Sequence, residues 1–124
     1  MESIKAGRQL DALVAEKVLG EKYEFLEFVG DYCRQDPEDS VAYDCCPRYS
    51  TDISAAWQVV EKLIAMTPQQ DLHIEHWYHE EDESSGWQVS SCYELGEWKD
   101  WVQAETLPLA ICLAGLKASK AQAI

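Results

Sequence analysis

Tyr49-Ser-Thr-Asp-Ile-Ser-Ala-Ala-Trp-Gln-Val-Val-Glu-Lys-Leu63 is the stretch whose pattern constrains the rest of the chain. Ser50 and Thr51 offer side-chain oxygens to the free amides of a first helical turn, and Asp52 puts negative charge where the helix dipole favours it. Ile53, Ala56, Trp57, Val60, Leu63 and Ile64 then recur at three-and-four spacing and form one apolar stripe. Ser54, Gln58, Glu61 and Lys62 take the opposite side, and Pro68 bars much further helix. A helix with one apolar face needs a second layer to cover it.

Working outward, Ile4 to Leu19 reads as a first helix, with Leu10, Leu13, Val14 and Val18 on one face and Arg8, Asp11 and Glu16 away from it. Gly20 is placed to end it. Tyr23 to Val29 is aromatic-rich and fits a short strand or a helical continuation equally well. Residues 30–48 have no period and end in Cys45-Cys46-Pro47, so they read as an irregular acidic insertion. Leu72 to His79 and Gly86 to Leu95 read as two antiparallel strands. Leu72, Ile74, His76 and Tyr78 fall on one face of the first, and Trp87, Val89, Ser91 and Tyr93 on one face of the second. The acidic link Glu80 to Gly86 suits a hairpin loop. Gly96 to Ala104 predicts no clear element. A last helix runs from Leu107 to Lys117, with Pro108 in its first turn and Leu109, Cys112, Leu113 and Leu116 as its stripe, and 119–124 is expected to fray. The expected fold is α+β: three helices packed on a small antiparallel sheet of two to four strands, a layered sandwich in a single domain over residues 1–124.

The balance of 23 acidic against 10 basic residues, a net charge of −13, narrows the function. Residues 21–44 hold eight acids against Lys22 and Arg34, and residues 71–105 hold ten against Lys99 alone. Such a surface repels phosphate backbones, so direct nucleic-acid binding is disfavoured, and the charge serves either a partner protein with a basic surface or simply solubility. Hydrophobic residues make up 47%, too many for global disorder, and no apolar run approaches the roughly 20 residues that cross a bilayer. The amino terminus has no secretory apolar region, which points to the cytoplasm and to reduced thiols for the five cysteines. Self-association through a free sheet edge is open.

Three segments resemble the phage ABA sandwich domain, a family of small phage and prophage proteins. They are Gly-Arg-Gln-Leu-Asp-Ala-Leu-Val-Ala-Glu-Lys-Val-Leu-Gly at 7–20, the stretch at 49–63, and Leu-Pro-Leu-Ala-Ile-Cys-Leu-Ala-Gly-Leu-Lys-Ala at 107–118, about 41 of 124 residues in the family's order. The resemblance implies helices on a small antiparallel sheet and a bacterial cytoplasm, and it brings no catalytic residues with it. Where family members often pass through a tryptophan into a short loop, here Leu19-Gly20 opens the long acidic segment with Cys33, Cys45 and Cys46.

Candidate sites follow from residue chemistry. His73, His76 and His79, near Glu75, Glu80 and Glu81, have ligand chemistry for zinc, but on a strand His76 points opposite to the other two, so exposed histidines are the expected reading. Cys33, Cys45 and Cys46 are candidates for a metal or a redox response, with a structural role expected. The acids of 31–44 lack the glycine and alternation of a calcium loop. His73-Ile-Glu75 is a fragment of a deaminase motif without its Pro-Cys-x-x-Cys. The amides of Ile53 and Ser54 could hold an anion. No phosphate loop or nucleophile elbow is present, and neither cofactor nor metal is expected.

The aromatic residues Trp77, Trp98 and Trp101, set among Glu94, Glu97 and Asp100, have the composition of a protein contact or ligand pocket. The plainer alternative is that they close the far side of the sheet under the third helix. Three functions are therefore carried forward. The first is a non-enzymatic phage or prophage accessory protein that binds a host or defence protein, as an acidic nucleic-acid mimic. The alternatives are a binder of a nucleotide-like small ligand and, third, a metal-dependent enzyme.

Overall fold

The structure, a computed structural model, describes residues 6–36, 38–67 and 71–122. Along them run α1 (Arg8–Lys17), β1 (Glu24–Leu26), β2 (Asp31–Asp36), β3 (Asp39–Cys45), α2 (Ile53–Met66), β4 (His73–His79), β5 (Ser84–Ser90), β6 (Cys92–Glu94), β7 (Glu97–Lys99), β8 (Val102–Ala104) and α3 (Leu107–Gln122). The strands form three antiparallel sheets, ordered β1-β2-β3, β4-β5-β8 and β6-β7. The class is α+β, with helices packed on sheet. No helix among the described residues is long and apolar enough to cross a membrane.

The layering centres on α3. One side of it lies on β5 and β8, and its other side takes α2 and α1. The sheet face it covers is the one alternation assigned: Ile74 pairs with Val89, His76 with Trp87, Val89 with Val102 and Trp87 with Ala104. Ala110, Ile111, Cys112 and Ala114 are buried on α3. Small residues let neighbouring backbones approach closely, and Gly115 marks such a point. A Cβ there would lie 2.9 Å from Val59 Cγ1 and 3.3 Å from Val18 Cγ2.

This arrangement corrects the expected stripe of α2. Its buried residues are Ala56, Val59, Val60 and Leu63, while Ile53 is exposed and Trp57 is 49% exposed. Because α3 lies on the sheet, α2 contributes only the narrow i, i+3, i+4, i+7 strip that meets another helix. The cap also differs. Asp52 accepts the Ser54 amide at 2.9 Å, whereas Ser50 is buried elsewhere. That bond occupies one of the amides proposed for an anion.

Ser50 belongs to a polar strut between α1 and the chain before α2. Its amide and hydroxyl reach Asp11 Oδ1 at 2.8 and 2.6 Å, and its Oγ accepts the Gly7 amide at 2.9 Å. Arg8 donates to Asp11 at 2.9 Å, to Asp31 at 2.8 Å and to the Cys46 carbonyl. Asp11, expected on the solvent side, is therefore 1% exposed. A carboxylate is held there because three donors face it, the Ser50 amide, the Ser50 hydroxyl and Arg8, and stripping one partner from such a pair costs about 3 kcal/mol. Gly20 closes α1 as expected, at φ 72°, with Glu21 N–H reaching Ala15 O at 2.8 Å.

The stretch expected to be an irregular insertion at 30–48 contains two strands, Asp31–Asp36 and Asp39–Cys45. β2 and β3 pair there, and β1 pairs with β2, resolving 23–29 as a strand and turn. The pairing shifts at Gln35/Asp36 and the sheet carries apolar groups in the open, including Phe25, Phe28 and Tyr43, so no hydrophobic alternation announces it. Phe28 is 75% exposed and meets Tyr43 edge-on at 5.7 Å. Residues 96–104, expected to hold no element, supply β7 and β8. α3 continues past 119 to Gln122, and Pro68 lies outside the described residues.

Candidate partner-binding surface

The face of β4-β5-β8 turned away from α3 carries His73, Glu75, Trp77 and His79. Aromatic rings and a small hairpin lie against it. Trp77 sits opposite Gly86, where a Cβ would meet its Cζ2 at 2.6 Å and the Ala104 carbonyl at 2.9 Å. Glycine is thus required for the indole to lie on the strand, and Trp77 is half-buried by that contact. Gln88 links the three strands, donating to Glu75 at 2.8 Å and accepting from Gln103 at 3.0 Å.

The hairpin is β6-β7. Ser90, fully buried at the end of β5, donates to the Lys99 carbonyl and accepts the Cys92 amide at 3.3 Å, tying both of its strands to the sheet. Behind its turn Tyr93 pairs with Trp98, rings 5.1 Å apart. Trp98 and Trp101 both stand edge-on to His73, at 5.4 and 5.3 Å. The three tryptophans are half-buried on the side of the sheet that carries His73, and α3 lies on the opposite face.

What the hairpin presents outward is Glu94-Leu95-Gly96-Glu97. Leu95 is 94% exposed, at φ 52° beside Gly96 at φ 82°, the pair of positive angles a type I′ turn needs. That position favours asparagine or aspartate; a leucine there costs about 1 kcal/mol. Glu94 lies directly opposite Glu97, which is also unfavourable. Lys99 relieves part of the charge, 3.9 Å from Glu94. Asp100 is exposed and, like Leu95, left-handed, at φ 56°. Burial together with the charges of Glu94 and Asp100 holds the Cys92 thiol above its ordinary value.

Alternation separates the histidines as the sequence reading required. His73 and His79 lie on the outer face, the latter against Trp77 at 5.1 Å, and His76 lies on the other face against Trp87 at 4.8 Å. Among the described residues no three His, Cys, Asp or Glu side chains converge as metal ligands. Cys45 is exposed and Cys46 buried, and Cys45 ends a strand of a different sheet from the histidine strand. A cleft of about 220 Å³ is lined by Val89, Val102 and Ala114, with Asp100 and Lys117 as charged members. It falls below the 300–1,000 Å³ or so usual for ligand pockets.

Of the residues the sequence singled out, Trp98, Trp101, Glu94, Glu97 and Asp100 come together in or beside one hairpin, and Trp77 stands apart over Gly86. Leu95 and Tyr93, which belong to the same hairpin, were not singled out from the sequence. An X-Gly pair between Cys-Tyr-Glu and Glu-Trp-Lys was the signal, a two-residue turn between short matched runs. The family model for the phage ABA sandwich domain matches residues 12–116. No curated protein and no solved structure matches the chain.

Proposed function

The chain belongs to the phage ABA sandwich domain family, and from that premise we propose that it is a non-enzymatic phage or prophage accessory protein. It acts in the bacterial cytoplasm by binding a host or defence protein, offering acids where that partner expects nucleic-acid phosphates. The observation that carries the reading is the β6-β7 turn. An apolar side chain stands in open solvent between two carboxylates, in a backbone conformation it disfavours. Two local rules are broken at one place, which is where function is to be sought. A leucine flanked by acids complements an apolar pocket rimmed by lysine or arginine, and the −13 net charge steers such a partner in.

The test uses the whole chain immobilised in a bacterial host lysate, beside Leu95→Asn and the double variant Glu94→Gln/Glu97→Gln. Asparagine suits the turn, so Leu95→Asn is expected to melt higher than the parent while losing the captured protein. The double variant is expected to hold that protein more weakly and with less dependence on salt. Capture that is insensitive to salt, or undiminished by Leu95→Asn, overturns the reading.

A further inference from the structure

Cys33 and Cys45 face one another across β2 and β3, their sulfurs 3.6 Å apart. The neighbouring pair Tyr32 and Cys46 is hydrogen-bonded, Cys46 N–H to Tyr32 O at 2.9 Å. Antiparallel ladders alternate, so Cys33 and Cys45 occupy a non-hydrogen-bonded position, where side chains approach most closely and Cα atoms lie about 4.5 Å apart. That separation is within the range a disulfide spans, and closing the sulfurs to bonding distance moves them by about 1.5 Å. We propose that Cys33 and Cys45 are an oxidation site, a dithiol that closes to a cross-strand disulfide by exchange with a low-molecular-weight disulfide such as glutathione disulfide.

The asymmetry of the pair sets the order of events. Cys45 is exposed and Cys33 is buried. Cys45, as its thiolate, attacks one sulfur of glutathione disulfide, forming the mixed disulfide and releasing one glutathione thiolate. Cys33 then loses its proton, attacks Cys45 Sγ and expels the second glutathione. Two protein thiols are oxidised, one glutathione disulfide is reduced to two glutathiones, and the two protons lost by the cysteines end on them. Burial, with Cys45 beside it, raises the Cys33 thiol above its ordinary value, which makes it a poor first nucleophile. Its place next to Cys45 Sγ compensates once the mixed disulfide has formed.

The other three cysteines are not so paired: Cys92 lies opposite Lys99 across β6 and β7, and burial raises its thiol. Cys46 Sγ is directed to the Pro47 carbonyl at 3.5 Å, and burial pushes that thiol up to about 11. Cys112 is buried in α3. The bridge would fix the register of β2 on β3 beside the Cys46 carbonyl that receives Arg8, so the hairpin and the α1 strut would be fastened together.

The experiment equilibrates the reduced full chain with glutathione disulfide, then maps linkages by mass spectrometry and records melting. The expected product has lost two hydrogens, carries one link between Cys33 and Cys45, and melts several degrees higher. Cys45→Ser, at an exposed site, is expected to lose the link and the rise in melting temperature. Cys33→Ser is expected to stop at a glutathione adduct on Cys45. A link between any other two cysteines, a lasting adduct on Cys45 of the parent chain, or five thiols left free overturns the proposal.

Discussion

Asp31 and Asp11 hold one guanidinium from two directions, and the consequence can be read by titration. The hydrogen bond from Arg8 outweighs burial and keeps the Asp31 carboxyl below the usual aspartate range. Burial alone would lower Arg8, but its bonds and charge contacts with Asp31 and Asp11 keep it above its ordinary value. Asp31 therefore releases its proton more readily in the folded chain than in the unfolded one. Its contribution is whole above the unfolded aspartate value of about 3.9 and is withdrawn as pH falls from there through the lower folded value. Asp31→Asn is expected to lower stability at neutral pH and to flatten the loss of stability below about pH 4, measured by urea unfolding across pH. An acid limb unchanged by the substitution would show that this pair does not anchor α1. Asp11 and Ser50 were legible only as a polar helix position and a cap, because a buried strut has no periodic signature. What selects it is the partner 39 residues away.

Elements were readable where one period ran long enough. The helices, the β4-β5 hairpin and the face of β4 each residue takes follow from spacing, and so does the stop at Gly20. Strands of three residues such as β1, β7 and β8 cannot display a period. The stripe of α2 was misplaced because Trp57 is apolar and falls within the helical spacing, whereas the surface that meets it, the small-residue side of α3, admits only Ala56, Val59, Val60 and Leu63. Gly115 tests that contact. In an isolated helix Gly→Ala gains about 1 kcal/mol, but here the new methyl meets the stiff side chain of Val59 at 2.9 Å. Gly115→Ala is expected to destabilise by about 1 kcal/mol net and Gly115→Val by about 3 kcal/mol in denaturant unfolding. A stabilised Gly115→Ala would mean the helices do not cross there. At the candidate surface, the aromatic and acidic residues were named from composition, while the exposed Leu95 came only with the turn that displays it.

At the scale of the molecule, α3 is covered on both sides, and each outer layer keeps an open aromatic surface. One is Phe25 and Tyr43 on the β1-β2-β3 sheet with Phe28 in the turn between β1 and β2, and the other is the β6-β7 hairpin set against the tryptophan face. With acids concentrated in the same two stretches, apolar contact and negative charge fall together, as an interface for a basic partner needs. Both surfaces depend on α3 separating the β4-β5-β8 sheet from α2, and proton NMR reads that directly through nuclear Overhauser contacts. The Gly115 Hα protons are expected to show strong cross-peaks to the Val59 and Val18 methyl groups, and Val89 to protons of α3. Strong cross-peaks from the Val59 methyls to β5, with none to Gly115, would contradict the account.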